Sequence, residues 1–197
     1  MEQNKIESST MDLINAARVT FEAELDKGTA IAPILKRVLT LLPELRLDSE
    51  PSEASQQPVC RHFARALDLG ETSPAVSLIK TFRDLQSTLR WVQNPRYTVE
   101  NMGADFMDNY AYSELGLTGS SVLSFGVLLL GPGITYPLTI YPSEGVFLVI
   151  GGSPEWKSGN EPWVRVEAGS IIGRQAGGAE GKRPGNEPML ALYAWLS

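Results

Sequence analysis

The chain has 197 residues, 43% of them hydrophobic and 20% charged, which suffices for one well-buried core and a small accessory segment. Its net charge of −6 comes without a basic patch, which argues against a nucleic-acid or anionic-membrane partner. The single cysteine, Cys60, excludes an intrachain disulfide framework and a multi-cysteine zinc site, and fits a reducing compartment.

The opening MEQNKIESSTMDLINAARVTF lacks the continuous apolar stretch of a secretory signal. A soluble, cytoplasmic protein is the expectation. Ile14, Ala17, Phe21 and Leu25 recur at helical spacing, with Ser9 or Thr10 as a cap. Ile31, Ile34, Leu35, Val38, Leu39 and Leu42 form a second apolar stripe that Pro43 stops. Residues 48–58 are polar with two prolines and read as a linker or exposed loop. A short helix is predicted around 61–69 and a longer one over about 74–90, where Leu78, Phe82, Leu85 and Leu89 share a face.

From about residue 121 the pattern changes to apolar, β-branched runs punctuated by Gly and Pro. Strands are predicted at 121–130, 136–141, 146–150, 163–166, 170–173 and 189–195. The most apolar run, 122–130, is too short to span a bilayer and reads as a buried strand. Lys157-Ser-Gly-Asn160 has hairpin-turn chemistry. Many short strands with close turns indicate a sandwich or barrel. The expected organisation is a helical segment over 1–120 packing on a β-barrel over 121–197, as one structural unit.

The stretch from Gly133 through Thr139-Ile-Tyr141 and Gly145 to Gly152 resembles the first cupin motif in its spacing. Gly169 through Gly177 to Glu180 is similar to the second, with Gln175 replacing a usual proline. The resemblance implies a mainly β protein with α, a cupin (double-stranded β-helix, jelly-roll) barrel preceded by helices. The flanks narrow it. PVCRHF (58–63), WVQNPRY (91–97), NYAYSEL (109–115), FGVLLLGPGITYP (125–137), EWKSGNEPW (155–163) and EPMLALYAW (187–195) together resemble the cupin dimethylsulfoniopropionate (DMSP) lyases.

The resemblance implies a carbon–sulfur lyase that splits DMSP into dimethyl sulfide and acrylate by β-elimination. In that family a divalent metal (Zn, Fe, Mn or Ni) is held by three histidines and a glutamate and polarises the substrate carboxylate. A tyrosine near it removes the α proton. The cation matters because carbanion character next to a carboxylate needs a positive charge to stabilise it.

Residue by residue, the ligand positions hold other side chains. Thr139 and Tyr141 stand where two histidines belong, Gly145 at the glutamate, and Glu180 at the last histidine. Phe147 stands where the lyases can carry tyrosine, whereas Tyr136, Glu144 and Arg183 match. The one histidine, His62, falls in the helical half and reads as a packing residue. No metal cofactor is therefore expected. On a bland reading, Glu144 and Glu180 are solvated carboxylates at the barrel mouth, and Tyr136 and Tyr141 are packing aromatics. On a sharper one, Tyr141, Glu144 and Glu180 form an oxygen-rich site suited to Mg, Ca or Mn. If the ligands were simply lost, Thr139→His, Tyr141→His, Gly145→Glu and Glu180→His together should restore metal binding.

Three functions stay open. The first is a degenerate cupin that binds a DMSP-like or small-carboxylate ligand. Its pocket candidates are Tyr110, Tyr112, Tyr136, Tyr141, Glu144, Phe147, Glu180 and Trp195, the aromatics offering cation–π contacts to a sulfonium. The second is an active lyase with Tyr136 as base and Glu180 or Glu144 as ligand. The third is a structural or oligomerisation role, a β face pairing with a second copy in a homodimer.

Overall fold

The structure, a computed structural model, describes residues 2–47, 53–115 and 117–197. Its first helix, α1 (Glu2–Leu25), begins upstream of the expected cap. Ser9 and Thr10 therefore lie inside it, and the Thr10 hydroxyl donates back to the Ile6 carbonyl at 2.8 Å. Leu13, Ile14, Ala17 and Phe21 form its buried stripe. Helix α2 (Ala32–Leu41) tolerates Pro33 because its first turn needs no amide donor, and it buries Ile34, Leu35 and Val38. Pro43 falls in the 3₁₀ turn Leu42–Glu44 that ends it. A two-residue strand, β1 (Arg46–Leu47), follows.

The expected linker lies partly outside the described residues, but Ser55 already bridges to Arg90. After the 3₁₀ turn Pro58–His62 come α3 (Phe63–Asp68) and α4 (Val76–Leu85), the latter shorter at both ends than its apolar pattern suggested. Short helices α5 (Val99–Met102) and α6 (Ala104–Asp108) lead into the β region.

That region starts earlier than residue 121. Strand β2 (Tyr110–Glu114) pairs antiparallel with β4 (Leu123–Leu130), while β3 (Leu117–Thr118) pairs back to β1. The remaining strands are β5 (Tyr136–Ile140), β6 (Glu144–Gly151), β7 (Glu155–Ser158), β8 (Val164–Arg165), β9 (Ile171–Arg174), β10 (Ala179–Arg183) and β11 (Met189–Leu196). They form a five-stranded sheet of order β2-β4-β11-β6-β9 and a four-stranded sheet of order β5-β10-β7-β8.

The large sheet is buried on both faces, which explains its runs of apolar residues without alternation. Phe125, Val127, Leu129, Val146, Leu148, Ile150, Leu190, Leu192, Ala194 and Leu196 join the core shared with the helices. Their strand neighbours Leu128, Leu130, Phe147, Val149, Met189, Ala191 and Tyr193 form a second core, inside the barrel. Gly151 lets α3 approach closely, since a Cβ there would meet the Ala66 carbonyl oxygen at 1.8 Å. The small sheet closes the barrel over that second core. Among the described residues no helix is long and apolar enough to cross a membrane.

Candidate functional site

The barrel holds a cavity of about 140 Å³ lined by Asn94, Tyr110, Tyr112, Glu114, Leu128, Tyr136, Tyr141, Phe147, Lys182, Tyr193 and Trp195. Aromatic rings form most of the wall. Tyr193 stacks on Trp195 with ring centroids 4.4 Å apart, and Phe147 meets Trp156 edge-on at 5.0 Å. A chain of phenols crosses one side: the Tyr97 and Tyr136 hydroxyls are 3.0 Å apart, and those of Tyr136 and Tyr141 are 2.9 Å apart.

Beside these rings lies a buried ionic cluster, with Lys182 in the cavity wall. Glu180 on β10 accepts from Arg174 Nη1 at 2.8 Å and from Lys182 Nζ at 2.9 Å, both on Oε1. Fractional exposure of these side chains is 3% for Arg174, 3% for Glu180 and 1% for Lys182. Local geometry explains the convergence. Glu180 and Lys182 are two apart on one strand and so share its inward face. Arg174 on β9 is the register partner of Gly145 on β6, which brings it to the same side of the barrel wall. Arg174 also donates to the Ser143 carbonyl and hydroxyl, and covers the Tyr141 ring at 4.2 Å. The Lys182 ammonium stands 4.5 Å from the centre of Phe147, 4.6 Å from Trp156 and 5.1 Å from Tyr136.

Burial sets the ionisation. It pushes the Tyr136 phenol far above its ordinary range, helped by neighbouring Tyr141 and Tyr110. It pushes Tyr141 up to about 12, and raises Tyr110 and Tyr193 as well. Burial lowers Lys182, against the opposing pull of Glu180.

Of the residues singled out from sequence, Tyr110, Tyr112, Tyr136, Tyr141, Phe147 and Trp195 line one cavity. Thr139 is the register partner of Glu180 but half-buried, with its hydroxyl spent on the Pro137 carbonyl at 3.0 Å. Gly145 pairs with Trp195, and a Cβ there would meet the Ala194 carbonyl oxygen at 2.5 Å and Trp195 Cδ1 at 2.7 Å. Two expectations need correction. Glu144 is no pocket residue: one position from Gly145, it points to the helical face and pairs with Arg37. Glu180 is no solvated carboxylate, because two cations enclose it. His62 sits in the Pro58–His62 turn and does not line the cavity.

The chain does not fit a divalent metal here. Among the described residues no three of His, Cys, Asp and Glu cluster as a ligand set. The one carboxylate present already neutralises a guanidinium, with an ammonium beside it. A divalent ion at Glu180 would face two buried positive charges. The oxygen-rich site also fails, since Glu144 is turned away. Lys182, Arg174, Tyr193, Asn94 and Glu114 went unrecognised in the sequence.

Two antiparallel sheets closing over an inner pocket define a cupin barrel with helices packed on its larger sheet. The chain belongs to the dimethylsulfoniopropionate lyase family, whose profile matches residues 27–191. It is 29% identical over 103 residues to the dimethylsulfoniopropionate lyase DddQ of Ruegeria pomeroyi, covering 50% of this chain and 51% of that relative. It thus spans about half the length of that curated relative. The fold superposes on a chain from the crystal structures of the DMSP lyases RdDddP and RnDddQII (TM-score 0.79, 21% identity, covering 100% of this chain and 94% of that one). It also superposes on the crystal structure of DddQ from Ruegeria pomeroyi (TM-score 0.70, 22% identity, covering 92% and 91%).

Proposed function

We propose that this member of the family has lost metal-dependent β-elimination and uses its pocket to bind a small carboxylate or DMSP-like molecule, in the cytoplasm. The observation that carries this reading is the state of Glu180. By the sequence resemblance Glu180 stands at a ligand position of the family, and its acceptor oxygen is engaged by Arg174 and Lys182. The candidate base supports the same reading. A useful base titrates near the working pH, whereas burial and two phenol neighbours hold Tyr136 protonated. An active lyase built on Tyr136 would have to overcome that without the metal charge that makes such a proton acidic.

The test is headspace dimethyl sulfide release from DMSP by purified protein, alone and supplemented with Mn, Fe, Zn or Ni. Negligible release is expected under every condition. Turnover on the order of 1–10³ per second with any of these metals overturns the reading.

A further inference from the structure

The cluster of Arg174, Glu180 and Lys182 is not electrically neutral. Arg174 alone balances Glu180, and its guanidinium is further spent on both oxygens of Ser143. Lys182 is the surplus charge. It lines the cavity, donates to Glu180, and finds no second acceptor among the described residues. A buried ammonium can donate three hydrogen bonds, so this one keeps donor capacity in reserve. Two residues of the cavity wall also carry buried donors without a partner, the Tyr193 hydroxyl and Trp195 Nε1. Indole N–H donates only, so an orphan there calls for an acceptor. Both rings stand against Phe147, whose face Lys182 covers. The one carboxylate of the lining, Glu114, acts on the neighbouring Tyr193 phenol but is exposed, so solvent screens it.

We propose that Lys182 is an anchor for the carboxylate of a short monocarboxylic acid, with the Trp195 and Tyr193 donors completing a metal-independent anion site. The inference rests on the reading above, that the pocket takes a ligand without a metal. Size sets the class. A cavity of about 140 Å³ resembles one of about 150 Å³ that admits benzene, so about five or six non-hydrogen atoms fit inside. The aromatic wall suits an apolar tail of two or three carbons.

The experiment is calorimetric titration of the chelator-treated protein with propionate and, separately, with propionamide, which matches its shape without the charge. Propionate is expected to bind at one site per chain, about tenfold or more tighter than propionamide. Lys182→Met removes the surplus cation, leaves the Arg174–Glu180 pair intact, and should erase that preference. Trp195→Phe keeps the ring but not the donor, and should weaken propionate about threefold to tenfold. The wild-type comparison of the two probes stands even if a variant fails to fold. Equal binding of both probes, no propionate binding, or unchanged propionate affinity in folded Lys182→Met each overturns the anchor. Dimethyl sulfide release and metal content of the same preparation report separately on the loss of elimination.

Discussion

Replacing Glu180 with Gln leaves the shape of the barrel wall almost unchanged but strips two buried cations of their counter-ion. Arg174 and Lys182 expose 3% and 1% of their side chains, so water can replace little of what the carboxylate supplies. Removing one partner from such a buried set costs about 3–5 kcal/mol, a large share of the roughly 5–15 kcal/mol that holds a domain folded. For a chain of this length, each kcal/mol corresponds to about 2–4 °C in Tm, so a fall of roughly 6–20 °C is expected. Urea unfolding should show the midpoint falling with an unchanged slope. In the background of Lys182→Met the same substitution should cost at least about 1 kcal/mol less, because one fewer charge is orphaned. A loss under about 0.5 kcal/mol, the range of ordinary surface changes, would refute a buried and coupled Glu180.

The six tyrosines all stand in or beside the pocket, so alkaline titration reports on it. Folded values of Tyr110, Tyr136, Tyr141 and Tyr193 are raised by burial, so their stabilisation is complete below the unfolded value of about 10 and is lost as pH rises. For Tyr141 the window runs up to about 12, and tyrosinate absorbance should appear together with unfolding. Simple titration of these groups near pH 10 in folded protein would contradict their burial. Lys182, lowered by burial, acts in the opposite sense at lower pH: stability there rises toward its unfolded value of about 10.4. Gly145→Glu should destabilise by about 1–3 kcal/mol or more through overpacking against Ala194 and Trp195, as thermal unfolding would show. The four ligand replacements at 139, 141, 145 and 180 should not by themselves create a zinc site, contrary to what lost ligands alone imply. They leave Arg174 and Lys182 in place and force a side chain into the space beside Trp195; calorimetric zinc titration that matched a tight site would contradict this.

Legibility followed side-chain chemistry. Strands whose both faces meet apolar layers announced themselves, so β4, β6 and β11 lie within a residue or two of their expected positions. Strand β10 did not, because Ala-Glu-Gly-Lys-Arg carries neither β-branched nor aromatic residues; its inward side chains are ionic. With β10 unread, Lys182 gives no sequence signal and Glu180 reads as a solvated carboxylate. An inward pair two apart, Glu180 and Lys182, was the available signal, but only once the segment is known to be a strand. Strand β2 was hidden differently, since its Tyr-Ala-Tyr-Ser-Glu lies in a stretch assigned to the helical half. Arg174 pairs with a glycine far away in sequence, a relation that only the sheet register shows. The irregularity between Glu180 and Lys182 is likewise tertiary. It lets Tyr136 and Thr139, three apart on β5, partner Lys182 and Glu180 on the same inward face.

The most direct measurement is the metal content of the folded protein after equilibration with excess Zn, Fe, Mn or Ni and removal of unbound ion. Expected is far less than one metal per chain for each ion, with unchanged Tm, because the charge of Glu180 is already balanced inside the protein. One tightly held metal per chain, with Tm rising as it loads, would contradict the proposed replacement of the metal centre by Arg174, Glu180 and Lys182.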